Sequence, residues 1–287
     1  MIIRPVDLND RHRLRHVIQY GAYIHRHLDW YEPKDWIGYQ PFIAAEWDHQ
    51  FKAVLACPPD PLNIAWIRLF AVSAELNAQD AWSVLWSALF KQEKWMDLIV
   101  AAIPLNPWFQ DVLKGSQFEA INNVVLLEWN HNPSLIVPKP SPFRIREMTF
   151  EDLPAVHQVD VQAFDPIWQI SKRSLEGAWT KSAISTVAET SSGISGYQIS
   201  TAASRGAHLA RLAVLPDRQG GGIGTGLVQH LLTQLHLWGS QRVTVNTQTD
   251  NIASLGLYEK LGFRRTEEVY PVYQRTIKAS GPDSYHS

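Results

Sequence analysis

The glycines between residues 220 and 226 are the part of the sequence whose composition most directly predicts chemistry. Glycine is the costliest ordinary residue in a helix interior, by about 1 kcal/mol relative to alanine, yet a helical pattern of Leu227, Leu231 and Leu235 follows directly. The first amide N–H groups of a helix lack internal partners, and its dipole places partial positive charge at the same end. The pattern therefore predicts a main-chain binding site for a phosphate group at residues 220–224.

The spacing of these glycines excludes two common phosphate-binding motifs. The dinucleotide motif G-x-G-x-x-G does not fit, because Thr225 and Leu227 stand where it needs glycine. The nucleoside triphosphate motif G-x-x-x-x-G-K-[ST] does not fit either, because no lysine follows the glycines. A different phosphate-bearing ligand is therefore favoured, and a flexible glycine-rich turn without a ligand is the structural alternative.

The composition of the whole chain predicts a folded, soluble protein. Of its 287 residues, 45% are hydrophobic and 19% are charged, and the formal net charge is −2. This charge gives no electrostatic basis for binding nucleic acid or an anionic membrane, and no stretch approaches the ~18 apolar residues of a membrane span. Cys57 is the only cysteine, which excludes an intramolecular disulfide and a cysteine-based zinc site. We therefore expect a cytoplasmic protein without a metal cofactor.

An internal repeat at a shift of 142 residues predicts two copies of one fold. The shift places residues 71–72 on residues 213–214, which have the same sequence, and Leu85 on Leu227. Between the copies, residues 130–142 hold four prolines and predict an extended linker. We therefore predict a first domain at 1–129, a linker at 130–142, a second domain at 143–278 and a tail at 279–287.

The glycines are absent from the first copy. At the same shift, Asp80 and Trp82 stand in place of Gly222 and Gly224. Glycines that were needed only for folding should occur in both copies, so their presence in one copy indicates a ligand. A phosphate group in the first domain would meet a bulky ring and a like charge, and we predict that this domain does not bind the ligand.

Hydrophobic periodicity in the second domain predicts a mixed α/β fold. A buried strand at 207–215 and a strand at 241–248 flank an amphipathic helix at 222–238. The other expected elements are a strand and helix at 145–164, a hairpin at 183–200, a helix at 251–263 and a last strand at 267–277.

Two motifs in the second domain resemble those of the GCN5-related N-acetyltransferase (GNAT) superfamily. Residues 219–224, Gln-Gly-Gly-Gly-Ile-Gly, resemble the family signature Q/R-x-x-G-x-G/A, and the central strand precedes them as the family requires. Residues 251–263 resemble the second family motif, N-x-x-(A/S)-x-x-L-Y-x-x-x-G-F. The resemblance covers roughly 143–278. It implies two tandem GNAT-like domains, each a twisted mixed sheet flanked by helices, with a degenerate first copy.

The resemblance implies that acetyl-CoA is the cosubstrate and that no metal takes part. In the family, main-chain amides of the glycine motif bind the pyrophosphate of coenzyme A, and the preceding strand pairs with the pantetheine arm. The N–H of Val214 would polarise the thioester carbonyl, as an oxyanion hole does. The cofactor-binding residues implied in this way are Leu212, Ala213, Val214, Gln219, Gly220, Gly221, Gly222, Ile223, Gly224 and Asn251.

The resemblance also implies a catalytic acid but leaves the base open. Tyr258 would protonate the departing thiolate, whereas the structural alternative is a packed tyrosine. In the subgroup that acetylates ribosomal protein N-termini, a glutamate lies five residues before the motif asparagine, and here that position is Asn246, which cannot accept a proton. Glu189 is the substitute candidate and His208 is another, although Glu189 fits a solvated strand residue and His208 a capped surface residue equally well.

The sequence therefore predicts an N-acetyltransferase that acts by direct attack in the second domain. A non-catalytic acyl-CoA-binding sensor or scaffold is the alternative, and Asn246 motivates it. An interaction module built on the nine tryptophans of the first domain is a third hypothesis. The acceptor amine, which the family selects with loops such as 164–182, stays open between a peptide N-terminus, a lysine and a small molecule. We expect the two halves to pack together, and a homodimer is left open.

Overall fold

The protein forms two compact units, seen in a computed structural model that describes residues 1–89, 97–130, 142–203 and 206–277. Unit 1 comprises residues 1–121 and 271–287, and unit 2 comprises residues 122–270. Two strands cross the division, and unit 1 combines the first part of the chain with its C-terminal segment.

Unit 1 combines helices with short strands. Its helices in the described residues are α1 (Arg11–Tyr20), α2 (Ala78–Leu89) and α3 (Pro107–Lys114). Its first strands are β1 (Ile2–Pro5), β2 (Tyr23–Arg26), β3 (Phe42–Trp47), β4 (Gln50–Ala56), β5 (Ile64–Trp66), β6 (Leu69–Val72) and β7 (Leu98–Ala102). One sheet has the order β1-β3-β4-β6-β2, and β7 pairs with β5.

The core of unit 1 is built on the amphipathic helix α2. Trp82, Leu85 and Leu89 recur at helical spacing, and all three are buried. The ring of Trp82 packs edge-on against Phe70 of β6 at 5.2 Å and also against Phe109 of α3. The tryptophans in this helix therefore serve the core, as their spacing indicates.

Unit 2 contains a mixed sheet of seven strands flanked by four helices in its described residues. The helices are α4 (Leu153–Ala163), α5 (Lys172–Lys181), α6 (Ile223–Leu237) and α7 (Ile252–Lys260). The strands are β8 (Glu119–Asn130), β9 (Arg144–Glu147), β10 (Ile184–Thr190), β11 (Gly193–Ala203), β12 (Gly206–Val214), β13 (Arg242–Gln248) and β14 (Arg264–Ile277). The sheet order is β14-β8-β13-β12-β11-β10-β9.

The mixed α/β fold predicted from periodicity is confirmed. The helix expected at 222–238 is α6, and its leucines at 227, 231 and 235 are buried, as the 3.6-residue pattern requires. The predicted hairpin is β10–β11. The last strand, expected at 267–277, is β14, and it continues through Pro271.

The compact units differ from the domain boundaries drawn on the sequence. Residues 122–130 of β8 lie in unit 2, because they pair antiparallel with β13 and place Leu127 and Trp129 in a core with Val243. Residues 271–277 of β14 lie in unit 1, where they pair with β7. Most of the predicted linker and all of the tail lie outside the described residues, so the domain limits stay a prediction.

Three observations bear on other kinds of site. None of the helices in the described part of the chain combines the length and apolar character that crossing a membrane requires. Among the same residues, no three His, Cys, Asp or Glu side chains cluster closely enough to hold a metal ion. Cys57 is buried, and burial raises the pKa of its thiol to about 12, which keeps the thiol in its unreactive form at neutral pH.

Candidate active site

A gap opens in the sheet of unit 2 where β12 and β13 diverge. The two strands pair in parallel only at the start of β12, where residues 207–209 face residues 243–245. From Arg211 to Val214, β12 stays paired with β11 on one edge, whereas no strand in the described ranges pairs with its other edge. Ala210 forms a β-bulge in the register with β11 and marks the point of divergence. The result is an open strand edge inside a sheet.

Main-chain groups of Leu212 and Val214 face this gap. The N–H of Leu215 donates to the carbonyl of Ser195 at the start of β11, at 2.9 Å. Successive residues of a strand direct their main-chain groups to alternate edges, so Val214 and Leu212 direct theirs away from β11. Ala213 directs its own toward β11. A ligand in the gap therefore meets the main chain of Leu212 and Val214. The main chain of Ala213 pairs with β11 instead.

The glycines form an exposed main-chain bend at the N-terminus of α6. Gly222 is the N-cap residue with a φ of +83°, and Gly220 has a φ of +76°, both in the left-handed region that favours glycine. A Cβ atom at either position would meet no heavy atom within 4 Å. The amides of residues 220–224 donate no hydrogen bond within the described part of the chain. These N–H groups can therefore bind an anion.

At two other positions in this stretch, glycine allows close packing against neighbouring side chains. A Cβ atom at Gly224 would lie 3.3 Å from the side chain of Leu257 on α7, and one at Gly226 would lie 2.9 Å from the ring of Phe143. The structure thus separates a stretch that the sequence presented as one feature. Gly220 and Gly222 serve the main-chain bend, while Gly224 and Gly226 allow α6 to pack closely.

Gln219 ties the glycine bend to the end of β12. Its side-chain amide donates to the main-chain carbonyl of Val214 at 3.2 Å. Its own N–H donates to the carbonyl of Pro216 at 3.4 Å. Gln219 therefore orients the bend. Because the carbonyl of Val214 accepts the side-chain hydrogen bond, the N–H of Val214 is the main-chain group that faces the gap.

Asn251 lies at the N-terminus of α7. Its Oδ1 accepts a hydrogen bond from the N–H of Ser254 at 3.0 Å, which caps the helix. The capping bond uses the side-chain oxygen and leaves the NH₂ group as a donor. The motif asparagine therefore has a structural role that explains its position, together with a donor suited to a ligand carbonyl.

Tyr258 is buried on α7. Its ring packs against Phe263 with centroids 5.5 Å apart, in a core cluster that also contains Leu209 of β12. Burial raises the pKa of Tyr258, because the low-dielectric surroundings disfavour the phenolate. Its hydroxyl makes no hydrogen bond within the described residues, and it stays protonated at neutral pH, as a proton donor must.

His208 lies on β12 on the face opposite Tyr258. Ala207 and Leu209 point into the cluster that contains Tyr258, and strand alternation places His208 on the other face. Its Nδ1 lies 2.8 Å from Oγ1 of Thr244 on β13, whose hydroxyl donates to the carbonyl of Ala207 at 3.4 Å. When the Thr244 hydroxyl donates to the Ala207 carbonyl, its oxygen accepts from Nδ1–H, and the lone pair of the neutral ring then lies on Nε2. Burial lowers the pKa of His208 and favours this neutral form.

Glu189 is engaged in an ion pair. Its Oε2 lies 3.2 Å from Nε of Arg146, and its side chain is 40% exposed. Arg146 also donates two hydrogen bonds, of 2.6 and 2.9 Å, to the carboxylate of Asp152. The guanidinium of Arg146 therefore occupies one oxygen of the Glu189 carboxylate.

The same ion-pair arrangement recurs in unit 1. Arg4 donates to both carboxylate oxygens of Asp10 and, at 2.6 Å, to Glu46. The shift of the sequence repeat places Arg4 on Arg146 and Asp10 on Asp152. An arrangement that occurs in both copies belongs to the fold, so the position of Glu189 is explained without catalysis.

A buried polar network on β12 is absent from the sequence predictions. Arg211 donates to Asp160 Oδ2 at 2.5 Å, to the hydroxyl of Tyr197 at 3.0 Å and to the carbonyl of Trp168 at 2.8 Å. Its guanidinium also stacks over the ring of Phe164 at 4.1 Å. The signal was an arginine inside an otherwise apolar strand, AHLARLAVL. The network holds the segment that follows α4 against β12, beside the gap.

Comparison with known proteins agrees with this geometry. Residues 153–263 match the Acetyltransferase (GNAT) family. This domain belongs to the GNAT family. The matched range contains the gap, the glycine bend and both faces of β12, and the description of the family is that of an acetyltransferase.

Two curated relatives of the GNAT domain are N-acetyltransferases by name. N-alpha-acetyltransferase 30 of Schizosaccharomyces pombe is 36% identical over 66 residues, which are 23% of this chain and 44% of that protein. The [ribosomal protein bS18]-alanine N-acetyltransferase of Salmonella typhimurium is 28% identical over 126 residues, which are 43% of this chain and 84% of that protein. The chain thus spans less than half of the first relative and most of the second.

A solved tandem GNAT protein shows that the fold extends over both halves. The tandem GNAT protein from the clavulanic acid biosynthesis pathway aligns with 98% of this chain and 99% of its own, with a TM-score of 0.67 and 14% identity. At this identity the likeness concerns the fold alone. It confirms that the first half is a second GNAT-like domain, as the internal repeat predicts.

Proposed function

We propose that the GNAT domain binds acetyl-CoA in the gap of unit 2 and transfers its acetyl group to an amine by direct attack. The observation that carries the proposal is the continuity of two binding surfaces, the open edge at Leu212 and Val214 and the bare amides of residues 220–224. A pantetheine arm carries amide groups along an extended chain, which suits addition to a strand edge. A pyrophosphate is the kind of anion that a helix N-terminus binds.

The two faces of β12 support a division of the proton transfers. The N–H of Val214 would hydrogen-bond the thioester oxygen as negative charge develops there. On one face, Nε2 of His208 would accept the proton that the attacking amine releases. On the other face, the hydroxyl of Tyr258 would donate a proton to the sulfur as the C–S bond breaks. His208 is favoured over Glu189 because its Nε2 carries a lone pair, whereas the Glu189 carboxylate is held by Arg146.

A protein N-terminal amine is the acceptor class we propose to test first. Both curated relatives are named for N-alpha or alanine acetylation. The amine is mostly protonated at neutral pH, so a base beside the gap is needed for the attack. A peptide beginning with alanine therefore leads the panel, followed by a lysine peptide, a polyamine and an amino sugar.

The test combines acetyl-CoA binding with turnover. Release of the CoA thiol and the mass of the acetylated acceptor are measured for each amine, with the full chain and with Tyr258→Phe. General acid–base catalysis contributes about 10²–10⁴-fold, so Tyr258→Phe should lower kcat by roughly that factor and leave acetyl-CoA affinity nearly unchanged. Tyr273→Phe is the matched control, because Tyr273 is equally buried but lies in unit 1. Binding without turnover on any amine favours the sensor, and absence of binding overturns both readings.

A further inference from the structure

Unit 1 contains the same change of strand partner that opens the gap in unit 2. Residues 64–66 of β5 pair in parallel with β7, as residues 207–209 pair with β13. The chain then continues as β6, which pairs with β4 on one edge, as β12 pairs with β11. The other edge of β6 is therefore the counterpart of the edge that faces the gap.

In unit 1, strand β2 occupies this edge. Residues 23–26 pair antiparallel with residues 69–72 over the whole length of β6. The N–H of Ala22 extends the ladder by donating to the carbonyl of Val72 at 2.9 Å. Val72 corresponds to Val214 in the sequence repeat, so the main-chain position that faces the gap in unit 2 is bonded to the protein's own chain in unit 1.

Two aromatic contacts hold β2 in this position. The ring of Tyr23 packs on Trp108 with centroids 5.2 Å apart, and His25 stacks on Phe109 at 4.2 Å. Both partners lie in the first turn of α3. Trp108 and Phe109 are the second and third residues of α3, and the second and third residues of α7 are alanine and serine, at 253–254. Large rings therefore support the strand in unit 1 where small side chains leave space in unit 2.

In unit 1, the protein's own side chains also occupy the N-terminus of α2, which is the counterpart of the N-terminus of α6. Oδ1 of Asn77 accepts hydrogen bonds from the N–H groups of Gln79 at 2.8 Å and Asp80 at 3.3 Å. The carboxylate of Asp80 lies in the first turn of α2, where it takes the place of an anionic ligand in the helix dipole. The corresponding residue of unit 2, Gly222, has no side chain to do this.

We infer that β2 permanently fills the unit 1 counterpart of the cosubstrate gap, so that the chain binds one acyl-CoA, in unit 2 only. That the chain binds one acyl-CoA rests on the proposed function. That β2 blocks the strand edge in unit 1 rests on the observed strand pairing alone. The inference goes beyond the loss of the glycines. Because the strand edge itself is occupied, introducing glycines at residues 78–82 should not create a second site.

Calorimetric titration of the full chain with acetyl-CoA measures the number of sites. We expect one equivalent for the natural sequence, one for the double variant Gln79→Gly/Asp80→Gly, which leaves the buried Trp82 in place, and no measurable heat for Gly222→Val. Two equivalents in the natural sequence, or a second equivalent in the glycine variant, would overturn the inference.

Amide hydrogen exchange separates this inference from the proposed function. The amides of Tyr23 and His25, which strand alternation directs at β6, should exchange at least 100-fold more slowly than in a synthetic peptide of residues 18–30. Their exchange should be the same with and without acetyl-CoA, whereas residues 220–224 should slow only when acetyl-CoA is added. If no ligand binds, the proposed function fails, but slow exchange in β2 still supports the closure. Exchange of β2 at the peptide rate, or a change in its rate on addition of acetyl-CoA, would contradict the closure even if unit 2 binds.

Discussion

Nδ1 of His208 and Oγ1 of Thr244 lie 2.8 Å apart across the middle of the three paired positions of β12 and β13. The hydrogen bond joins the two strands one residue before their pairing ends, and its direction sets the tautomer of the imidazole. The ring therefore stands at the apex of the gap with Nε2 able to accept a proton. This relationship leads to the first prediction.

Substitution His208→Gln should remove the base and change the pH profile. Glutamine can keep a hydrogen bond to Thr244 but cannot accept the amine proton, so kcat should fall by about 10²–10⁴-fold. Burial lowers the pKa of His208 from its ordinary 6.5. Activity of the natural protein should therefore fall on the acid side of pH 6.5, as Nε2 becomes protonated, and this limb should vanish in His208→Gln. The measurement is kcat/KM against pH.

Glu189→Gln serves as the control for this prediction. This substitution removes the carboxylate charge and breaks the partly exposed ion pair with Arg146. It should leave kcat within a few-fold of the natural value. If Glu189→Gln abolishes turnover while His208→Gln is active with an unchanged pH profile, the roles that we propose for the two residues are reversed.

Gly222 and Gly239 form a matched pair at the two ends of α6. Their φ values are +83° and +77°, and a Cβ atom at either would meet no heavy atom within 4 Å. Alanine at each should cost a similar ~1–2 kcal/mol of backbone strain. Only Gly222→Ala should weaken acetyl-CoA binding, by about tenfold or more, because its Cβ and the altered bend disturb the amides that face the anion. Equal affinities of the two variants, measured by calorimetry, would remove the glycine bend from the binding site.

Trp129→Ala should destabilise unit 2, although residue 129 precedes the proline-rich segment. Its side chain is 1% exposed and packs in the cluster with Val243 and Leu255. Truncation of a buried tryptophan costs about 3–5 kcal/mol. Trp47→Ala is the control, because its side chain is 60% exposed and a surface change costs about 0.5 kcal/mol or less. Calorimetric melting with and without acetyl-CoA identifies the transition that belongs to unit 2, and an unchanged transition in Trp129→Ala would show that β8 is dispensable there.

Asp160→Asn should destabilise the protein more than the simultaneous replacement of Asp160 and Arg211 by apolar residues. Burial lowers the pKa of Arg211, but Tyr197 and Asp160 outweigh it, so the guanidinium stays charged. Without Asp160 the buried charge loses its partner, which costs about 3–5 kcal/mol. A double variant, Asp160→Leu with Arg211→Met, should recover most of this loss. A milder effect of Asp160→Asn than of the double variant, in denaturant unfolding, would contradict the ionic role of the network.

Much of the site could be predicted from local sequence because its parts are local. The bend at Gly220 and Gly222, the strand before it and the cap at Asn251 each depend on a few consecutive residues, whose main-chain preferences are legible in the sequence. Arg211 and its partners could not be found in this way, since Asp160 lies 51 positions away and is brought close only by the fold. The choice between Glu189 and His208 also depended on partners distant in sequence, Arg146 and Thr244.

By itself, the sequence determined the α/β class, the internal repeat, the glycine-rich start of α6 and the family resemblance, because helix and strand periodicity and glycine placement are properties of short segments. Only the tertiary structure decided which strands lie side by side. The placement of β8 in unit 2, the return of residues 271–277 to unit 1 and the insertion of β2 beside β6 are all long-range pairings. Main-chain hydrogen bonds between strands are the same for every side chain, so the sequence of a strand does not name its neighbour. The packing of the whole chain selects that neighbour, and with it decides which of two similar gaps stays open.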